Sequence, residues 1–556
     1  MTLGRIQGSL LAQSLCFALL VCSGCESPRV HHRPFASIRP TVIGERPVSS
    51  DTEEALAEGL RLEALSPEGA LGRYRDAAGL AVARGDAVVH NRAVERILRV
   101  AGTDHSRRDW SARMAAAGID VNIMDPFWAP LLFDRLLIAS DYGVSNLAPL
   151  QRRDGWGVPL IGAQSLPGVA EERPLPYRAM ADEYRVATTA VARTTESGRL
   201  VVDLHNPWNE GPELAADFTT PLTMMLGHRG MRGLEYQGLF NPGFVWPRSG
   251  VFMITPYQPG KIPVLFVHGL WSSPRTWLPM INALQGDPLV RSRYQFWVAL
   301  YATGHSVPVS AWRVRTSLRD LRLALDPESK DPALGRMVVV THSLGGIIGK
   351  LLAQESGEVL QNAVFTRPLD QLAMAPSTRA FVEDVMFFRP DPAIARLVLI
   401  GVPHRGSLLA NRVDALFGTA IVRRRGPGPD AIREILELNG RDVFQRDLGN
   451  QPLSGISNLQ EDEPLLRAFD RMPRAPWVTW SSIIGFLEGS EDSREGLSDG
   501  VVSYRSAHLD DVPEMFVEGQ HIGLNDLPAT IEEVRRQLRE HVGAIDTTAA
   551  GHVGPP

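Results

Sequence analysis

The sequence predicts an α/β fold: a mostly parallel central sheet with flanking helices and two long insertions, preceded by a helical and then a β-rich amino-terminal region. Three observations predict it. Short buried apolar runs recur through the carboxy-terminal half, at residues 262–267, 295–301, 337–340, 397–400, 477–486 and 514–517. Helical apolar spacing or long excursions separate them, which is the alternation a parallel sheet requires. The chain has 556 residues, 44% hydrophobic and 22% charged, ordinary for a globular protein and long enough for more than one domain. Net charge is −6, and nothing here predicts a nucleic-acid partner, which usually calls for a strongly basic face.

At the amino terminus Arg5 gives a weakly positive start, and residues 10–22 are mostly apolar despite Gln13 and Ser14. That is the length of a secretory apolar region and short of the ~20 residues a bilayer span takes. All three cysteines, Cys16, Cys22 and Cys25, lie here, so the body of the chain can form no internal disulfide. Val21-Cys22-Ser23-Gly24-Cys25 resembles a bacterial lipoprotein signal, with Cys22 where leucine is commonest. The resemblance implies residues 1–25 as a signal, lipid attachment at Cys25, the membrane as a partner, and a lipid-anchored, periplasm-facing place in the cell envelope. Plain secretion is the alternative. Residues 26–50, with Pro28, Pro34, Pro40 and Pro47 and no apolar periodicity, read as an extended tether.

Residues 51–130 read as a helical region. Ser50-Asp-Thr-Glu53 is a capping box, and Ser66-Pro67-Glu68 opens a second helix on which Leu71, Tyr74 and Ala78 share a face. A third helix starts at Asn91 and carries Val94, Ile97, Leu98 and Ala101, and a fourth covers 106–117. Residues 131–250 are expected to be β-rich and joined to the core. Residues 185–193 and 199–205 alternate as strands around the turn Thr195-Glu-Ser-Gly198. Residues 250–257 read as the strand that feeds the main sheet, and the catalytic domain is placed at 251–545.

Within that domain residues 310–325 form an amphipathic helix, with Val314, Leu318, Leu321 and Leu325 at 3–4 spacing. The excursions at 356–395 and 408–476 are the insertions. Phe365, Leu369, Met374, Phe387, Phe388, Leu416, Phe417 and Phe444 make them apolar enough either to line a pocket or to pack on the core. Residues 530–542 close the domain as a helix with Ile531, Val534, Leu538 and Val542 on one face, and 546–556 is left as a flexible tail.

The chemistry is carried by Arg336-Met-Val-Val-Val-Thr-His-Ser-Leu-Gly-Gly-Ile-Ile-Gly-Lys350. An apolar β-branched run turns at once into helical spacing, and Ser343 sits on the turn. This is the strand–turn–helix setting of a G-x-S-x-G nucleophile elbow, with Thr341 in place of the first glycine. Upstream, Ile262-Pro-Val-Leu-Phe-Val-His-Gly-Leu-Trp271 is a strand ending in His-Gly. Main-chain N–H groups of Leu270 and Leu344 would flank an oxyanion formed at Ser343, each such donor being worth about 3 kcal/mol. Val-Leu-Phe-Val-His-Gly-Leu270 together with Thr-His-Ser-Leu-Gly-Gly346 resembles the α/β-hydrolase superfamily, its bacterial lipase/esterase branch and the related GPI-inositol-deacylase-like proteins. The likeness runs over about residues 250–542. It implies an α/β-hydrolase fold in which the two insertions act as caps. Val-Pro-His-Arg-Gly-Ser407 fits the same branch, and His404 within it is expected to be structural.

A serine nucleophile needs a base, and the base needs a carboxylate that fixes its tautomer. In this fold the order along the chain is serine, carboxylate, histidine. Asp499 stands in Leu497-Ser-Asp-Gly-Val-Val502, and His521 follows the last strand in Gly519-Gln-His521. His508 precedes that strand, Glu488 and Asp492 lack the Asp-Gly context, and His342 flanks the nucleophile too closely to fold back on it. Ser343, Asp499 and His521 are therefore the expected catalytic residues. The expected activity is cleavage of lipid or other hydrophobic carboxylic esters through an acyl-enzyme, with no metal and no organic cofactor. An acyltransferase using the same three residues, or a non-catalytic envelope lipoprotein that binds without turnover, are the alternatives. Oligomeric state is not encoded in any pattern of the chain.

Overall fold

A computed structural model describes residues 28–32, 50–124, 133–166, 183–208, 213–227, 233–407, 426–445, 457–461, 463–487 and 496–551. Cys25, most of the expected tether, and Leu416, Phe417, Glu488 and Asp492 lie outside these residues.

A short strand at Arg29–His32, paired with Tyr142–Ser145, comes first, and four helices follow: α1 (Ser50–Leu62), α2 (Pro67–Arg84), α3 (Ala87–Ala101) and α4 (Arg107–Ala116). Ser66 Oγ accepts the Gly69 N–H at 3.2 Å and starts α2. α3 begins four residues before Asn91 because the Asp86 carboxylate accepts the Val88 and Val89 N–H groups, a cap that the apolar spacing does not report. Leu71, Tyr74 and Ala78 of α2 and Val94, Ile97, Leu98 and Ala101 of α3 are all buried.

The strands that follow are β1 (Ile119–Ile123), β2 (Arg135–Ile138), β3 (Val158–Ser165), β4 (Glu183–Thr194) and β5 (Leu200–His205). They form a separate five-stranded sheet in the order β1-β5-β4-β3-β2, antiparallel except for β1 beside β5. The expected β4–β5 hairpin is present, its turn closed by Thr195 N–H to Arg199 O at 2.8 Å. The segment is not joined to the main sheet as the sequence reading supposed. Only β4 and β5 are joined by a short turn; β3 pairs with β2 and β4 across longer connections, and β1 adds beside β5. Contact with the main domain comes instead through packing. Buried helix α5 (Thr219–Leu226) lies between β4 and the helix Leu278–Gln285, and Thr219 Oγ1 donates to Asn282 Oδ1 at 2.7 Å. One apolar cluster runs from Leu56 and Leu98 through Phe218 and Phe252 to Val264 and Leu538. The next helix, α6 (Leu234–Phe240), leads toward the main sheet.

That sheet has seven strands: β6 (Gly250–Met253), β7 (Ile262–Val267), β8 (Tyr294–Leu300), β9 (Met337–His342), β10 (Ile394–Ile400), β11 (Thr479–Phe486) and β12 (Glu514–Glu518). Their order is β6-β8-β7-β9-β10-β11-β12, parallel throughout except for edge strand β6. β7, β8 and β9 are buried along their whole length, which is why they read as unbroken apolar runs rather than alternating ones. Parallel strands present all their carboxyl ends to one side, so the loops after β7, β9, β11 and β12 converge there.

Helix α7 (Val307–Leu325) covers one face, and α8 (Leu344–Leu352) follows β9 directly. The two insertions carry α9 (Val359–Val364) and α10 (Pro376–Met386), then α11 (Pro427–Asn439) and α12 (Pro464–Arg471). They are tied to each other. Thr366 N–H donates to Val443 O, Gln445 N–H donates to Val364 O, and the Phe365 and Phe444 rings lie 5.2 Å apart. Phe365 and Phe444, with Val309, Phe381, Ile435 and Leu465, line an apolar cavity of about 50 Å³. Phe387 and Phe388 lie away from it, in a cleft shared with Arg315, Arg322 and Asp391 before β10. The closing helix α13 runs Pro528–Gly551, past the point at which a flexible tail was expected. Ile545 packs on the core and Asp546 pairs with Arg293 at 2.8 Å, which extends the helix beyond its apolar stripe. Among the described residues no helix is long and apolar enough to cross a membrane.

Candidate active site

Ser343 links the last residue of β9 to the first of α8 with φ 54° and ψ −127°. A side chain in this backbone region costs on the order of 1–3 kcal/mol, so its surroundings must hold it. Ser343 N–H donates to Ile400 O at 3.0 Å, and Ser343 O accepts the Gly346 N–H at 2.8 Å. Gly345 permits the tight start of α8: a Cβ there would stand 2.3 Å from Val267 O and 2.4 Å from His268 O.

The parallel register brings the other two residues to it. His521 Nε2 lies 2.9 Å from Ser343 Oγ, and His521 Nδ1 lies 2.7 Å from Asp499 Oδ2. All three residues are buried. The second carboxylate oxygen of Asp499 accepts the Val501 and Val502 N–H groups at 3.0 and 2.7 Å, so the carboxylate cannot rotate freely. Asp499 O also accepts the His521 N–H at 3.0 Å. A carboxylate facing Nδ1 keeps the imidazole proton on that nitrogen and leaves Nε2 free to accept from the serine hydroxyl. The arrangement can therefore deprotonate Ser343 in place.

Leu344 is the first residue of α8, so its N–H has no partner within the helix, and among the described residues the Leu270 N–H makes no main-chain hydrogen bond. The loop that holds Leu270 lies against the serine: a Cβ on Gly269 would stand 3.0 Å from Ser343 Cβ.

His342 does more than the sequence indicated. It does not reach Ser343 Oγ. Its Nε2–H donates to the His521 main-chain oxygen at 3.1 Å, with the two rings 4.9 Å apart. Burial, and then the nearby His521, push its pKa down to about 3, so it stays neutral and holds the backbone of the base. A histidine beside the serine was the only signal for this role. His268 is buried, stacked on Tyr301 at 4.4 Å, and pushed down to about 4 by desolvation. His508 turns instead to Glu514, 2.6 Å away, and Asp510. His404 is buried apart from Ser343, Asp499 and His521, with its main-chain N–H donated to Ser506 O. Among the described residues no group of three or more His, Cys, Asp or Glu side chains gathers as a metal site would.

The description "Alpha/beta hydrolase family" matches residues 264–555. A search of curated proteins finds no match. Among solved structures the chain is similar to the mature form of a lipase from Bacillus licheniformis, at 17% identity over 50% of this chain and 93% of that one, with a TM-score of 0.29. It is also similar to a metagenomic carboxyl esterase, at 16% identity over 51% and 77% of the two chains with a TM-score of 0.28. A phospholipase from Legionella pneumophila is 12% identical over 51% of this chain and 61% of that one, with a TM-score of 0.30.

Proposed function

The chain belongs to the alpha/beta hydrolase family, and from that premise we propose that it hydrolyses carboxylic esters of hydrophobic acyl groups by serine acyl transfer. The observation that carries this reading is the unbroken hydrogen-bond chain from Asp499 Oδ2 through His521 to Ser343 Oγ. His521 takes the Ser343 proton as the oxygen attacks the ester carbonyl. The N–H groups of Leu270 and Leu344 hold the developing oxyanion. His521 then gives its proton to the leaving alcohol, and water releases the acyl group by the same path in reverse.

A hydrophobic substrate is supported by exposed apolar side chains next to His521 in the chain and against the loop of Leu270. Ile522, next to the base, is 53% exposed, and Tyr236, which contacts Trp271 beyond the oxyanion loop, is 57% exposed. The resemblance of Val-Leu-Phe-Val-His-Gly-Leu270 with Thr-His-Ser-Leu-Gly-Gly346 to the lipase/esterase branch and the related GPI-inositol-deacylase-like proteins, and of Val-Pro-His-Arg-Gly-Ser407 to lipase-like hydrolases, supports a lipid ester. The 50 Å³ cavity between the insertions is far below the ~300 Å³ a small-molecule pocket needs, so an acyl chain entering there displaces the caps. The pattern ending at Cys25 supports a lipid anchor in the cell envelope, and Cys25→Ser is expected to move the protein from the membrane to the soluble fraction. No change in that distribution would rule the anchor out.

Initial rates on p-nitrophenyl esters from acetyl to palmitoyl, with Ser343→Ala as the blank, test the activity. Turnover lost in the variant and an optimum beyond acetyl are expected. Turnover that survives Ser343→Ala would overturn the assignment of the nucleophile.

A further inference from the structure

Helix α6 precedes the segment matched by the family, yet it grips the loop that carries Leu270. Two contacts make the grip. Glu235 Oε1 accepts the hydroxyl of buried Ser273 at 2.7 Å and lies 3.9 Å from Arg275 Nη1. Buried Leu239 packs on Leu270 and Trp271, and the Phe240 ring meets Trp271 edge-on at 5.9 Å. Gly238 O accepts the Gly304 N–H at 2.8 Å and ties down the loop after β8 as well. Between the first two contacts sits Trp271, at φ 53°, a left-handed conformation that a bulky residue holds only when its neighbours impose it.

We propose that α6 is a positioning element for the oxyanion loop and that Glu235 is its positioning residue. The inference rests on the acyl-transfer reading above. The Glu235–Ser273 hydrogen bond and the Leu239–Leu270 packing bracket Trp271 from both sides and hold Leu270, whose N–H belongs to the Gly269–Leu270 peptide. An oxyanion donor acts only where it meets the developing charge at hydrogen-bond distance, so a loop released by a few tenths of an ångström loses transition-state binding while substrate binding is unaffected.

The test is steady-state kinetics on a p-nitrophenyl ester together with inhibition by a trifluoromethyl ketone of the same acyl length, which adds to the serine as a tetrahedral analogue. Glu235→Ala is expected to lower kcat about tenfold, less than outright loss of a donor, with KM within twofold and the inhibition constant rising in step with the fall in kcat. Glu235→Gln keeps an oxygen for Ser273 and is expected to restore most of kcat. Ser273→Ala removes the same bond from the loop side and is expected to match Glu235→Ala, which covers the case in which one variant fails to fold. A kcat within twofold of wild type in a folded Glu235→Ala or Ser273→Ala protein overturns the inference. So does a loss confined to KM. A wild type without Ser343-dependent turnover removes the acyl-transfer reading and this inference with it, whereas an active wild type with indifferent variants removes this inference alone.

Discussion

Gly349 makes the room that Thr341 occupies: a Cβ at position 349 would lie 2.7 Å from Thr341 Cγ2. The nucleophile elbow packs a helix against the strand it has just left, which is why a small residue is expected two before the serine. Here the strand carries a β-branched side chain, and the missing volume has moved to the helix. The Thr341 hydroxyl is also satisfied, donating to Val398 O at 2.9 Å.

Gly349→Ala is accordingly expected to destabilise the fold by about 1–3 kcal/mol, the usual cost of overpacking. In a Thr341→Ala background the same change should cost clearly less, because the methyl it meets is gone. Urea unfolding of the four proteins of this cycle measures the coupling, and equal costs in both backgrounds would show that the two positions do not compensate.

Asp499→Asn should leave the fold intact and lower kcat by about 10⁴, the scale seen when a triad carboxylate is neutralised. The Asn side chain can still accept from Val501 and Val502, but it no longer fixes the proton on His521 Nδ1. A rate within a few-fold of wild type would mean that Asp499 does not orient the base.

Five buried histidines, His90, His268, His342, His404 and His541, are all pushed down chiefly by burial and give the stability a pH dependence. His342 is pushed down to about 3, and His268 and His541 to about 4, from an ordinary 6.5, in each case chiefly by burial. Below about pH 6.5 the unfolded chain takes up protons that the folded chain refuses. Stability therefore falls as the pH drops from about 6.5 toward 4, each group adding up to about 1.4 kcal/mol per pH unit. Urea midpoints at pH 7.5, 6 and 5 should trace the fall. His342→Gln should flatten it by about one proton, and an unchanged slope in that variant would contradict the neutral state assigned to His342.

Lys350, at 1% side-chain exposure, places its ammonium 2.5 Å from Asp470 Oδ1. Removing one partner of such a pair leaves a charge stranded in the interior. Asp470→Asn is expected to cost about 3–5 kcal/mol, and Lys350→Met with Asp470→Asn much less than that. Thermal denaturation of both proteins decides it, with a single variant no worse than the double one as the contrary result.

What the sequence determined by itself was local or ordered along the chain. The run 336–352 declares strand, turn and helix within a few residues, because a continuous β-branched apolar run, two glycines and the helical apolar spacing after them are all short-range signals. The strand order of a parallel sheet then places Asp499 and His521 at the same end as Ser343, although His521 is 178 residues away from it in the chain. Only the tertiary structure decided the rest. Nothing near residue 341 indicates that Gly349 offsets it. Nothing near His342 indicates that its ring supports the backbone of His521. The five-stranded sheet stands apart from the main one because, among the described residues, its strands pair only with one another, and periodicity cannot say which sheet a strand joins. Glu235 reaches Ser273 across 38 residues through a helix outside the matched family segment. Such contacts depend on side-chain volume and direction in the packed state, and a pattern of residue types along the chain carries neither.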